Sequence, residues 1–217
     1  MKRLLPIIAI LFVACTTIKS TDEILAEVWA KDQTIRLQML ELTKAVTTEQ
    51  CSDLIDSLIA VNEAVERIDE ENMAVVDSIL QQGLPKSLAE ESYKTIWIVI
   101  DHASLEKQEQ YLPLIEQMSI GGQIGQDEYA IMFDRVAMKR NRPQRYGSQA
   151  VQFGSPDNMR LYIWPVENPA RLDSLRSSVG MTPLADYLKQ LTETTAIEAK
   201  YDPTLTIDQI NRLRQGE

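Results

Sequence analysis

The 217-residue sequence has few of the residues on which common catalytic sites depend, with one histidine and two cysteines. It lacks the G-x-S-x-G nucleophile elbow, the phosphate-binding P-loop and the H-E-x-x-H zinc motif. A single histidine cannot form a multi-histidine metal centre, so we predict no metal and no cofactor. A mixed site of His102 and carboxylates is the metal alternative that stays open.

One of the two cysteines also bears on the cellular location of the protein. Cys15 ends an apolar run that begins at Leu4 and follows two cations, a pattern typical of a secretory signal peptide and short for a membrane span. The tetrapeptide FVAC at residues 12–15 resembles a lipobox, in which the cysteine is acylated and becomes the mature N-terminus. We therefore predict a signal peptide over residues 1–14, a lipidated Cys15 and a polar tether to residue 22.

This arrangement predicts a bacterial cell-envelope protein that is held to the membrane by its lipid anchor only. Thr16, rather than an aspartate, follows the cysteine, which favours the outer membrane. Cleavage without lipidation and an uncleaved N-terminal anchor are the alternatives. With Cys15 lipidated, Cys51 has no partner for an intrachain disulfide, and a lone cysteine in a helical segment is typical of a small buried hydrophobe.

Positive charge is scarce as well, with 22 Lys and Arg against 32 Asp and Glu and a net charge of −10. Removal of residues 1–14 takes away two cations and no acid, so the net charge becomes −12. Such a chain repels phosphates, which excludes nucleic acid as a partner. The exception is a cationic stretch, either a solvated loop or an attractor for a small anion, made of Arg135, Lys139, Arg140, Arg142 and Arg145.

Hydrophobic residues recur with a helical period along most of the chain. We predict a mainly α fold, a single compact helical domain over residues 23–217 with a small β-hairpin after the fifth helix. The expected helices begin near residue 24, at 47 or 48, and then cover residues 88–103, 104–120, 126–139, 169–179, 183–200 and 207–214. The expected strands are residues 150–153 and 159–164.

The first predicted helix carries two opposite charges on its apolar face. Asp32 and Arg36 lie one turn apart in the middle of the apolar arc, with Gln33 at its edge. Because burial of ionised groups is costly, we expect either an ion pair that locks the helix or the lining of a polar pocket. Asp69 in the second helix is placed to hydrogen-bond across to the first.

His102 projects to the edge of the apolar face of the third helix. Its neighbour Asp101 projects about 100° away toward the polar side, so we expect no dyad between them. A carboxylate partner for His102 therefore has to come from another segment, and Asp32 and Asp134 are the candidates. The alternative is a half-buried histidine that is satisfied by a backbone carbonyl.

The densest group of recognition residues lies at residues 129–149, where the fifth helix breaks into a loop. Gly147 permits a sharp turn, so Gln144, Tyr146 and Gln149 can converge on one point. Two amides and a phenol offer several hydrogen-bond donors and acceptors there. For this point to be a site, rather than a loop tied to itself, it must face Asp32 and Arg36 of the first helix, with His102 in range.

Seven short motifs occur in a fixed order along the chain. They are Asp32-Gln33 with Arg36, Asp69 with Asn72, Gly83-x-Pro85, His102-Ala103, Asp134-Arg135-Val136, PQRYGSQ at residues 143–149, and Arg176 with Gly180. This order resembles DUF6624, a family of uncharacterised bacterial proteins, over residues 29–187. The departures are Ser148 and Leu84, where the family usually has threonine and tryptophan. The resemblance implies a shared architecture and names no activity.

Two classes of function follow from these residues. In the first, a polar pocket binds a small polar or anionic ligand or a peptide through Asp32, Gln33, Arg36, His102, Arg135, Gln144, Tyr146 and Gln149. In the second, His102 acts as the general acid or base of an envelope hydrolase or lyase, oriented by Asp32 or Asp134. We favour binding because no residue has the features of an activated nucleophile. A structural protein with a buried polar network is a third class, and the oligomeric state is not indicated.

Overall fold

The computed structural model describes residues 19–49, 54–155 and 158–216. The predicted signal peptide, Cys15 and Cys51 therefore lie outside the described residues. Within the described part, no helix is both long and apolar enough to cross a membrane.

The described chain forms eight α-helices and three short strands, and the predicted mainly α fold with a hairpin after the fifth helix is confirmed. The helices are α1 (Thr21–Glu49), α2 (Ile55–Leu80), α3 (Glu90–His102), α4 (Leu105–Ile120), α5 (Gln126–Lys139), α6 (Leu172–Ser178), α7 (Leu184–Thr195) and α8 (Ile207–Gln215). The strands are β1 (Ala150–Phe153), β2 (Arg160–Ile163) and β3 (Ala199–Lys200), and a 3-10 turn at Pro169–Arg171 precedes α6.

The first five helices enclose the main hydrophobic core. Helix α1 packs against α2 and α3, and α4 connects α3 to α5. Each fully buried aliphatic side chain contributes roughly 1.5–3 kcal/mol, so this core dominates the stability of the fold. Its most buried members are Leu25, Val76, Ile96, Ile100, Ile115 and Met132.

A three-stranded sheet covers the end of α5. Strands β1 and β2 form the predicted antiparallel hairpin, with Ala150 opposite Ile163. Strand β3 joins β2 in parallel, with Leu161 opposite Ala199. Trp164, fully buried, and Ile210 of α8 fill a second core beneath the hairpin.

The third strand was not predicted, because residues 183–200 were expected to be one helix. Helix α7 ends instead at Thr195, and Ala196 adopts a left-handed conformation with φ of 58°. The Thr195 hydroxyl donates to the carbonyls of Leu191 and Ile197. Such side-chain bonds compete with continued helix, and β-branched residues are poor helix formers, so the chain leaves the helix here.

Candidate functional site

Helices α1, α2 and α3 bring four charged or titratable side chains together. Asp32 and Arg36 come from α1, Asp69 from α2 and His102 from the last turn of α3. We call these four residues the His102 cluster. The predicted position of Asp32 in the apolar arc of α1 is confirmed, since its side chain is 1% exposed.

The Asp32 carboxylate contacts three neighbouring polar side chains. Its Oδ1 lies 3.0 Å from His102 Nδ1 and 3.1 Å from Arg36 Nε. Its Oδ2 accepts from Gln33 Nε2 at 2.8 Å. Asp32 is therefore the carboxylate partner that the sequence required for His102, and Gln33 supports the same carboxylate.

Arg36 links the two acids of the cluster. Its Nη2 donates to Asp69 Oδ1 at 2.5 Å, which confirms the predicted bond from Asp69 to the first helix. Arg36 is 22% and Asp69 18% exposed, whereas Asp32 is almost inaccessible. Solvent therefore reaches the cluster at Asp69 but hardly at Asp32. We call the Asp69 end its wet side and the Asp32 end its dry side.

This difference in solvent exposure gives Asp32 and Asp69 different pKa values. Burial alone would raise the pKa of Asp32, but the hydrogen bond from His102 and the charges of His102 and Arg36 outweigh burial and hold it below 3.8. Burial raises the pKa of Asp69 above 3.8, and the opposing effect of the Arg36 charge offsets burial only in part. The paired carboxylates therefore ionise at different pH values.

The cluster opens into a groove of about 510 Å³ between α2 and the start of α4. Among its lining residues are four acids, Glu66, Asp69, Glu70 and Asp77, together with His102 and Lys107. Lys107 Nζ pairs with Asp77 Oδ2 at 2.6 Å, so one of those acids is already compensated. The groove is acidic and suits a neutral or cationic molecule better than an anion.

Within the described chain, Asp32, Asp69 and His102 offer ligand atoms that lie within 4.8 Å of one another. A divalent cation accepts such a set of carboxylate oxygens and an imidazole nitrogen. However, the guanidinium of Arg36 already bridges both carboxylates. A metal would have to displace this internal cation, so the donor set fits a metal poorly.

Asp101 corrects one expectation from the sequence. It is 2% exposed rather than solvated, and it accepts from Arg135 Nε at 2.8 Å. Its position on the polar side of α3 faces α5, which packs there and supplies the counter-ion. Arg135, a predicted ligand-binding residue, therefore uses its Nε donor in this ion pair.

The cationic stretch is largely paired. Lys139 donates to the Ala103 carbonyl at 3.2 Å, and burial, together with the charge of Arg135, lowers its pKa below 10.5. Arg140 pairs with Glu109 across the surface, and Arg145 lies 3.4 Å from Glu167. This pairing leaves less charge to attract an anion than the sequence indicated.

Asp134 holds the loop that follows α5, and it does not orient His102. Its carboxylate, fully buried, accepts from the backbone N–H groups of Arg145, Tyr146 and Ser148 at 2.7–3.1 Å and from the Ser148 hydroxyl at 3.0 Å. Burial outweighs these bonds and raises the pKa of Asp134. Its predicted role as the orienting partner of His102 is corrected, since Asp32 occupies that position.

The two loop amides form a buried internal network. Gln144 donates from Nε2 to the carbonyls of Gln149 and Trp164, and its Oε1 accepts from the Gln149 N–H at 2.8 Å. Gln149 donates in turn to the Ile131 carbonyl and the Ser148 hydroxyl. Gln144 thus replaces missing backbone partners where the chain leaves regular structure. We call Asp134, Gln144, Ser148 and Gln149 the Asp134 cluster.

Tyr146 completes this loop through its ring. It is 9% exposed and meets Phe133 of α5 edge to face, with ring centroids 6.3 Å apart. No described hydrogen bond joins the loop to Asp32, Arg36 or His102. The structure thus divides the predicted site, because His102 lines the acidic groove while Arg135 and Gln149 line a separate cavity.

The comparisons with known proteins identify the family of the chain. Residues 19–200 match the model of DUF6624, described as a family of unknown function, and the chain belongs to this family. The match includes both clusters and Arg176, a family position in the sequence that lines the same cavity as Arg135 and Gln149. No curated protein and no solved structure matches the chain.

Proposed function

We propose that the protein is a general acid–base catalyst, a hydrolase or lyase, with His102 as the proton-transfer group. The observation that carries this proposal is the 3.0 Å contact between His102 Nδ1 and the buried Asp32 carboxylate at the edge of an open groove. A carboxylate in this position fixes the ring orientation and stabilises the imidazolium that forms during the reaction.

The tautomer follows from the contact. A neutral imidazole that donates its Nδ1 proton to a carboxylate keeps its lone pair at Nε2. No described residue hydrogen-bonds to that nitrogen. Nε2 of His102 therefore serves as the base toward a substrate or water in the groove, and later returns the proton to the leaving group.

The charges around His102 indicate the class of substrate. Arg36 is held by two carboxylates and is not among the residues that line the groove, so it supports Asp32 rather than a ligand. The acids that line the groove repel a negatively charged substrate. We therefore infer a neutral or cationic substrate for this groove, which differs from the anionic ligand expected from the cationic stretch.

A binding protein is the second candidate function. An acidic groove of about 510 Å³ holds a small polar molecule without any reaction. The two candidates differ in what the loss of the imidazole does. Removal of His102 abolishes turnover in a catalyst, whereas in a binding protein it changes only the affinity.

The experiment uses the full-length chain and a panel of neutral and cationic aryl esters, amino-acid anilides and aryl glycosides. We expect turnover of at least one class. His102→Asn should lower the rate about 100-fold or more, and Asp32→Asn should lower the maximal rate while leaving KM unchanged. Lys189→Ala, which changes an exposed cation on α7, is the matched control.

Two outcomes would overturn the proposal. One is turnover that persists unchanged in His102→Asn. The other is saturable binding of panel compounds in the groove without turnover of any of them, which would favour the binding protein.

We also propose that the protein acts at the bacterial cell envelope, anchored through a lipid on Cys15 in the outer membrane. The support is the apolar run and lipobox-like FVAC sequence at the N-terminus. Palmitate labelling of cells should tag the wild-type chain and be lost in Cys15→Ala, while Cys51→Ala keeps the label. A label that persists in Cys15→Ala would rule out this anchor.

A further inference from the structure

A second cavity, of about 490 Å³, is lined by residues of α5, the loop that leads into β1, and α7. Two arginines, an amide and a phenol lie among apolar side chains in its wall: Arg135, Gln149, Arg176, Tyr187, Ile131 and Leu161. Asp127 is the only carboxylate in this lining. The lining thus has more arginines than carboxylates, in a protein where acids outnumber bases.

Arg176 is the most unusual member of this wall, because it is 2% exposed. Its Nε donates to the Thr182 carbonyl at 2.7 Å, and its Nη1 donates to the carbonyls of Tyr146 and Gly147. The guanidinium lies 4.8 Å from the centre of the Tyr187 ring. These contacts hold the side chain rigidly in one orientation.

The positive charge of Arg176 has no direct counter-ion. No carboxylate of the described chain lies within ion-pair distance of it, and its Nη2 has no described hydrogen-bond partner. Burial lowers the pKa of the guanidinium, which reflects the cost of its desolvation. A buried cation with free donors is stabilised by an anion in the adjoining cavity.

Arg135 adds a second cationic donor group to the cavity wall. Arg135 uses Nε for Asp101 and remains 29% exposed, so its other donors are available to the cavity. Gln149 uses its Nε2 donors for the protein, so the two guanidinium groups are the donors left for an anion. Ile131, Leu161 and the nearby Leu191 give the rest of the wall an apolar character.

We propose that this cavity binds a small organic monocarboxylate with a short apolar chain. Arg176 and Arg135 hold the carboxylate, and the aliphatic wall holds the chain. The volume is suited to a ligand of a few carbons to a dipeptide. A free acid and a peptide C-terminus share this chemistry. The proposal is independent of the acid–base role, because His102 does not line the cavity.

The test is calorimetric titration of the full-length chain in neutral detergent with acetate, butanoate, hexanoate and octanoate. We expect saturable binding that strengthens about threefold to fourfold with each added methylene group. Hexanol should bind at least tenfold more weakly than hexanoate. The dipeptide Gly-Leu, compared with its amide, shows whether a peptide carboxylate is also accepted.

Variants assign the binding to the cavity. Arg135→Gln should weaken hexanoate binding about tenfold, and Arg176→Lys should weaken it further because lysine cannot reproduce the planar fork. Arg160→Gln, an exposed arginine on β2, is the matched control and should bind normally. If Arg176→Lys unfolds, Arg135→Gln alone decides the outcome.

Binding in His102→Asn should equal that of the wild type, which keeps this result separate from any failure of the catalytic proposal. The absence of saturable hexanoate binding at millimolar concentrations would overturn the inference. So would equal affinity of the wild type and Arg135→Gln.

Discussion

The His102 cluster and the Asp134 cluster are built from similar residues but differ in how completely their polar atoms are satisfied. Asp134 and Gln144 are fully buried, and their polar atoms bond to the protein's own loop. In the His102 cluster only Asp32 is fully enclosed, while His102 remains 17% exposed with Nε2 without a described partner. Buried polar residues thus indicate a site only where one atom stays free for a ligand.

The difference between the two clusters also accounts for the family motifs. The PQRYGSQ loop needs these particular residues because they have structural roles. Its amides replace backbone hydrogen-bond partners, and Gly147 adopts φ of 64°. A side chain at this glycine would also approach Leu172 Cδ1 to 3.3 Å. The most specific motif of the chain is therefore explained by folding, while the less conspicuous Asp32 and His102 form the open site.

The largest expected effect separates the clusters directly. Asp134→Asn replaces one carboxylate oxygen by an N–H₂ group that faces two backbone N–H donors. Because the site is buried and charged, we expect a loss of about 3–5 kcal/mol in the free energy of unfolding. Chemical denaturation of the full-length chain measures it. Glu193→Gln, at an exposed position, should stay within about 0.5 kcal/mol. A loss under about 1 kcal/mol for Asp134→Asn would break the distinction between the clusters.

Arg36→Ala tests whether the His102 cluster is partly wet. Removal of a partner from a fully buried pair costs about 3–5 kcal/mol, whereas an exposed pair contributes less than about 1 kcal/mol. Because Arg36 is 22% exposed and Asp32 keeps two other donors, we expect an intermediate loss of about 1–3 kcal/mol. Arg36→Lys should recover part of it. A loss of 3–5 kcal/mol, as for Asp134→Asn, would favour the structural lock.

The sequence predicted those parts of the molecule that depend on local periodicity. The bounds of α5 and β1 were predicted correctly, and the charged pair in the apolar arc of α1 is the Asp32–Arg36 ion pair of the structure. A helical projection contains no information about a second neighbouring helix. For this reason it placed Asp101 in solvent, although α5 buries that face.

The loop shows the other limit of prediction from sequence. Amides and phenols are suited to ligand recognition and equally to replacing backbone hydrogen bonds, and composition does not separate these roles. The proline–glycine turn chemistry indicated where the chain bends, but the partners of Gln144 are a distant strand end at Trp164 and its own loop. Only the three-dimensional contacts identify which polar atoms remain free.

His102→Asn should have a smaller effect on stability than either variant above. Asp32 keeps its bonds to Arg36 and Gln33, and the imidazole is partly solvated, so we expect a loss of less than about 1 kcal/mol. The same variant is expected to lose catalysis. A stability loss as large as that of Asp134→Asn would place His102 among the structural residues.

The smallest expected effect is a pH dependence of opposite sign for Asp32 and Asp69. The pKa of Asp32 is lowered in the folded state, so its stabilisation is present above 3.8 and is lost as the pH falls through the folded pKa. The pKa of Asp69 is raised, so its contribution is present below 3.8 and is lost as the pH rises through the folded pKa. The stability difference between the wild type and Asp32→Asn should therefore grow as the pH rises from 3 to about 6, and that between the wild type and Asp69→Asn should shrink. Denaturation curves at several pH values measure both differences, and the same pH trend in the two variants would contradict the division of the cluster into a dry and a wet side.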